Sequence, residues 1–97
     1  MISVIETRLV RVRGRVQGVG YRYACVEHAR ALGLTGWVRN RMDDSVEAML
    51  QGPPEVVAGM CAWMEDGIDS ALVERMEVDE VKPPFPMFET FDQLPTE

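Results

Sequence analysis

RVRGRVQGVGYR, residues 11–22, changes its apolar period from two to about 3.6 at Tyr21, so a strand must pass through a glycine loop into a helix. Gly14, Gly18 and Gly20 fall within seven residues of one another. They permit positive φ and close backbone approach, so consecutive N–H groups can turn inward on one point. The unpaired N–H groups and positive dipole end of the following helix face the same way. Arg22 adds a planar guanidinium that can grip two oxygens of a phosphate at once. The loop fits neither nucleotide template: Tyr23 stands where a dinucleotide fingerprint needs its third glycine, and no Gly-Lys-Ser/Thr follows. The expected guest is a small phosphate without a nucleotide.

Upstream of the loop, Thr7 to Arg13 alternates, with Val10 and Val12 on one face and Leu9 and Arg11 on the other. Downstream, Tyr21 to Leu32 puts Tyr21, Ala24, Cys25, His28, Ala31 and Leu32 on one helical stripe and stops at Gly33. His28, the single histidine, has no second ligand or nucleophile spaced with it and reads as a core or boundary residue. Gly36 to Arg41 and Ser45 to Gln51 form a hairpin across Met42-Asp43-Asp44, with Asn40 pointing to the same side as Val38 near the strand end.

Gly52-Pro53-Pro54-Glu55 then starts a second helix that runs to Asp66 with Val56, Val57, Met60, Trp63 and Met64 inward. A strand from Ala71 to Val81 puts Leu72, Met76 and Val78 on one side; Pro83, Pro84 and Pro86 end it. Phe88 and Phe91 anchor a short fifth strand, and Gln93 to Glu97 is expected to fray. The order β-α-β-β-α-β predicts an α+β, ferredoxin-like split sandwich, a mainly antiparallel sheet with two helices on one face. In that layout strand one is central, and the strand carrying Asn40 lies beside it, close to the loop.

A chain of 97 residues that is 46% hydrophobic is expected to build one domain, residues 1–97. Its first residues do not read as a secretion signal and no segment has the apolar length of a membrane span, so the expected location is cytoplasmic. Cys25 and Cys61 match no metal or redox spacing and are expected as buried free thiols. The net charge of −6 opposes general nucleic-acid binding, but it is unevenly spread. Eight of the ten Lys and Arg precede residue 42 against Glu6 and Glu27, a balance of +6 that leaves −12 for the rest. That pattern favours local capture of a small anion. A charged surface without a repeating apolar seam predicts a monomer.

Two segments resemble the acylphosphatase family: GRVQGVGYR at 14–22, and GWVRN at 36–40 followed by SVEAMLQG at 45–52. The likeness extends over nearly the whole chain in length and element order. It implies that the backbone of Arg15, Val16, Gln17, Gly18, Val19, Gly20, Tyr21 and Arg22 cradles phosphate. It further implies that Arg22 is the phosphate-binding catalytic arginine and that Asn40 positions the attacking water. The family is cytosolic and needs no metal or other cofactor. Two departures stand out: Asp44 occupies a turn position where the family usually has glycine, and FETFDQLPTE matches the usual final strand poorly.

The chemistry agrees with the resemblance. The residues read as a site contain no obvious general acid, activated nucleophile or metal cluster. An acyl phosphate needs none, because its carboxylate leaves without being protonated and phosphoryl transfer rests on positioning and charge stabilisation. The expected partners are therefore a small acyl phosphate and its product, inorganic phosphate, with no nucleic acid and no membrane. A non-catalytic RNA-binding module would need several aromatics on the open strands, where Trp37 is nearly alone. A second rival, the acylphosphatase-like domain that begins the larger carbamoyltransferases of hydrogenase maturation, is disfavoured by a length of 97 residues.

Overall fold

The computed structural model describes residues 4–97. Its elements are β1 (Glu6–Arg15), α1 (Tyr21–Ala31), β2 (Thr35–Asn40), β3 (Val46–Gly52), α2 (Pro54–Asp66), β4 (Leu72–Glu80) and β5 (Phe91–Gln93). The alternation and periodicity account for the first six to within about two residues, whereas β5 starts three residues after the expected Phe88 and takes in Gln93. The strands form one mixed sheet in the order β4-β1-β3-β2-β5, antiparallel except for β2 and β5. The expected ferredoxin-like α+β sandwich is thus formed, with one difference in order. β1 is an interior strand, but β3 occupies the middle of the sheet and separates β1 from the Asn40 strand.

One face of the sheet carries the core. Val10 and Val12 of β1, Val38 of β2, and Val46, Ala48 and Leu50 of β3 are fully buried beneath the helices. Each is the inward member of an alternating pair, and β-branched side chains suit that pleated surface. α2 contributes Val57, Met60, Cys61 and Met64, while the expected Val56 and Trp63 are only half-buried. α1 buries Tyr21, Cys25, Val26 and Ala29. The expected stripe is therefore rotated: Ala31 and Leu32 are exposed and His28 is half-buried, stacked on Trp63 at 4.4 Å. The cause is β5, which lies beside β2 under α1 and takes Phe91 into the core.

β4 also departs from its simple alternation. Its pairing with β1 shifts between Arg13 and Gly14, which oppose Arg75 and Val73, so Glu74 is an extra residue in a bulge. The bulge turns Val73 inward and leaves Leu72, expected to face the core, 59% exposed. On the other face of the sheet, Gln51 donates to Thr7 Oγ1 at 3.0 Å and to the Pro86 carbonyl at 2.8 Å, and accepts from the Phe88 N–H at 2.9 Å. Those bonds draw the proline-rich segment across the sheet toward β5. Phe88 precedes β5 and is not part of it.

The C-terminal tail does not fray as expected. Leu94 N–H donates to the Val38 carbonyl at 2.9 Å, Glu97 N–H to the Asn40 carbonyl at 3.0 Å, and Met42 N–H to the Glu97 carbonyl at 3.1 Å. The tail is therefore stitched along β2 to the hairpin beyond it. No helix among the described residues is long and apolar enough to cross a membrane.

Candidate active site

The site begins with the turn between β1 and α1. Gly20 is the N-cap of α1 with φ 84° and ψ 9°, and Gly18 has φ 74°. An added Cβ would meet nothing within 4 Å at either position, so the left-handed backbone itself, and not lack of room, calls for glycine. Among the described residues, the first backbone N–H after the loop that the chain takes up is that of Ala24, bonded to the Gly20 carbonyl at 3.0 Å. The first turn of α1 contains no acidic residue. Its amide groups and positive dipole end are therefore left to act on a guest.

Three side-chain bonds hold this loop. Tyr21, fully buried, donates its hydroxyl to the Met64 carbonyl at 2.8 Å and fastens the start of α1 to α2. Ser70 donates to the Val19 carbonyl at 2.7 Å. Gln17 donates to the carbonyls of Arg41 and Ser45, both at 2.9 Å, and so ties the loop to the hairpin that carries Asn40. The hairpin is shaped in turn by Asp43, whose carboxylate accepts from the Ser45 N–H at 3.0 Å and from the Ser45 hydroxyl. The Ser45 hydroxyl and N–H, with help from Arg13, pull the Asp43 carboxyl down to about 2.

Asn40 ends β2 and is only 9% exposed; among the described residues its buried Oδ1 has no hydrogen-bond partner. A buried acceptor left open is costly unless a guest or water supplies the donor. It opens onto a cavity of about 260 Å³ whose lining includes Val16, Gly18, Gly20, Tyr21, Arg22 and Asn40. The cavity therefore brings together six of the nine expected site residues. Of the other three, Arg15 is exposed at the end of β1, Gln17 turns its side chain to the hairpin, and Val19 packs against the core.

The positive charge of the N-terminal half is less available than its count suggests. Arg8 pairs with Glu6, Arg13 with Asp43, and Arg30 with Asp92. Arg11 and Arg39 close on the buried carboxylate of Glu47 at 2.8 and 2.9 Å, with Arg41 at 3.9 Å. Burial opposes the charge of Glu47, but the hydrogen bonds from Arg11 and Arg39 outweigh it and lower its pKa. Among the described residues Arg15 and Arg22 alone of these eight arginines make no ion pair, and Arg22 is the one at the cavity. Both cysteines are buried and free, as expected; burial pushes the Cys25 thiol up to about 12 and the Cys61 thiol up as well. Neither lines the cavity, and nor does His28.

Two lining residues were not anticipated. Tyr23 stands at the rim, with its hydroxyl bonded to Glu27 at 2.7 Å. Gln93 reaches the cavity from β5. The sequence carries no signal for Gln93 as a site residue, because its place depends on a pairing between segments more than fifty residues apart.

Fold and cavity together define a ferredoxin-like α+β sandwich with a cleft suited to a small oxyanion, formed by a glycine loop, a helix start and one unpaired arginine. The acylphosphatase family model matches residues 8–92, and the chain belongs to the acylphosphatase family, enzymes that hydrolyse acyl phosphates. It is 68% identical over 94 residues to Acylphosphatase 1 of Ralstonia nicotianae, covering 97% of this chain and 92% of that protein. Identity to the acylphosphatase of Polaromonas naphthalenivorans is 60% over 93 residues, covering 96% and 92%. The crystal structure of acylphosphatase from Bacillus subtilis superposes with a TM-score of 0.85 at 31% identity, covering 94% of this chain and 99% of that one.

Proposed function

We propose that Arg22 and Asn40 carry the hydrolysis, Arg22 as the phosphate clamp and Asn40 as the group that positions the attacking water. The observation behind this reading is that both residues line one cavity with Gly18 and Gly20, and that the Asn40 oxygen there is buried without a partner among the described residues. An acyl phosphate dianion offers only acceptor oxygens. The loop amides of residues 15–22 and the Arg22 fork can donate to them, whereas the Asn40 oxygen needs a donor, which water supplies.

The water oxygen attacks phosphorus in line as the bond from phosphorus to the acyl oxygen breaks, and the carboxylate leaves with that electron pair. Once the new oxygen–phosphorus bond has formed, one proton of the former water leaves its acceptor and passes to a phosphoryl oxygen, so carboxylate and inorganic phosphate are the products. Charge on the equatorial oxygens is stabilised by Arg22 and the loop amides, already oriented before the reaction. No metal or other cofactor takes part in this scheme. The reading extends to a monomer in the cytoplasm, which size-exclusion chromatography and cell fractionation test.

The deciding experiment is phosphate release from benzoyl phosphate in excess chelator by the native protein and its variants. Removing one preorganised hydrogen-bonding group costs on the order of 3 kcal/mol in the barrier, so loss of the Asn40 acceptor in Asn40→Ala lowers kcat by roughly a hundredfold and leaves inhibition by phosphate nearly intact. Arg22→Ala damages both turnover and phosphate inhibition, and Arg22→Lys restores little because the planar fork is lost. Loss of phosphate inhibition with normal turnover in Asn40→Ala would overturn its role.

A further inference from the structure

We infer that Gln93 is a second carboxamide of the site, which holds the attacking water together with Asn40; the inference rests on the proposed role of Asn40. β5 runs parallel to β2, with Phe91 opposite Gly36 and Gln93 opposite Val38. Phe91 is buried on the helix side, so Gln93, two residues on, projects to that same side one pleat further along. Because the pairing is parallel, that step leads toward the end of β2 where Asn40 is the next inward residue after Val38. The bonds from Leu94 N–H to the Val38 carbonyl and from Glu97 N–H to the Asn40 carbonyl fix this end of the tail.

Gln93 lies exposed where it lines the cavity of Arg22 and Asn40, and among the described residues no protein group engages its carboxamide, which leaves it open to a water in the cavity. The polar neighbours in its segment are engaged elsewhere: Asp92 with Arg30 and Thr90, and Glu97 with Arg39. A water that donates one O–H to Asn40 can still swing the other. A second acceptor beside Asn40 pins that O–H and leaves a lone pair directed at phosphorus. The carboxamide oxygen of Gln93 is such an acceptor, and unlike a carboxylate it does not repel the phosphoryl group.

The test measures kcat and KM for benzoyl phosphate, and inhibition by inorganic phosphate, in Gln93→Leu, Gln93→Met, Asn40→Ala and the Asn40→Ala/Gln93→Leu double variant. Circular dichroism and urea midpoints establish that each is folded. In both Gln93 variants kcat is expected to fall about tenfold with phosphate inhibition unchanged. In the double variant the Gln93 change costs much less than it does alone, because the shared water is already loose. Unchanged kcat in folded Gln93→Leu and Gln93→Met overturns the inference. So does phosphate inhibition that weakens in step with kcat, which marks a contact to the phosphoryl group, or fully multiplicative effects in the double variant. If Asn40→Ala itself leaves kcat intact, the reading of Asn40 fails first. If Asn40→Ala lowers kcat and the Gln93 variants do not, only the assignment of Gln93 is wrong.

Discussion

Gln17→Leu separates the side chain of the phosphate loop from its backbone. Gln17 spends its amide on two carbonyls of the hairpin, Arg41 and Ser45, both at 2.9 Å. Each carbonyl keeps another donor, Asp44 N–H at 3.2 Å on Arg41 and Arg41 N–H at 2.8 Å on Ser45. The substitution therefore orphans neither acceptor, and the loss is that of two neutral hydrogen bonds, about 2 kcal/mol together. For a domain of this size that lowers the melting temperature by roughly 8–16 °C. The loop retains its anchors at Met64 and through Ser70, but loses its registration against the strand end that carries Asn40. A displacement of about 1 Å between reacting groups can cost on the order of a hundredfold, so kcat falls tenfold to a hundredfold while phosphate inhibition weakens less. Differential scanning calorimetry and benzoyl phosphate kinetics on the same preparation read both effects. A melting temperature within about 2 °C of native would refute the strength assigned to the two bonds. Lost stability with unchanged kcat would refute the claim that Gln17 sets the register of the site.

Three further outcomes are expected. Gly36→Ala, at φ 131° and with an added Cβ 1.8 Å from the Met49 carbonyl oxygen, destabilises the protein by more than about 3 kcal/mol, measured by urea unfolding. Asp44→Gly relieves a left-handed residue at φ 71°, and that relief exceeds the extra entropy glycine loses on folding, leaving a net gain of about 0.5 kcal/mol in the same assay with kcat unchanged. Acid should loosen the hairpin: Asp43 has a folded pKa below its ordinary 3.8, so its contribution is complete above about 4 and is lost as pH falls toward about 2. Glu47, also lowered, adds a loss of the same sign, and Asp43→Asn, which keeps an acceptor for Ser45 but cannot titrate, flattens the acid limb of melting temperature against pH.

Much of this molecule was legible from local pattern. The change of period at Tyr21, the alternation of Val10 and Val12, the hairpin around Asp43 and the Pro-Pro start of α2 all depend on residues a few positions apart. Such signals are written in the chain itself, because backbone geometry sets their spacing before any tertiary contact forms. The same holds for the glycine loop and for Arg22 beside it. Reading Asn40 required more, a strand parity plus a family resemblance, and both put it on the inward side where it is found.

Tertiary structure decided what depends on distant partners. Whether an arginine is available to a ligand cannot be counted from composition: among the described residues six of the eight N-terminal arginines are taken up by carboxylates, and all of those carboxylates but Glu6 lie at residue 43 or beyond. The inward stripe of α1 turned on a strand formed some sixty residues later, and the face of β4 on one extra residue at Glu74. The short segment around Gln93 has too few residues to announce a strand by alternation. Its pairing with β2, the buried Phe91 and the backbone bonds of Leu94 and Glu97 supply the free energy that its own sequence lacks. That docking is what brings Gln93 to the cavity of Arg22 and Asn40, a juxtaposition that exists only once the sheet is closed.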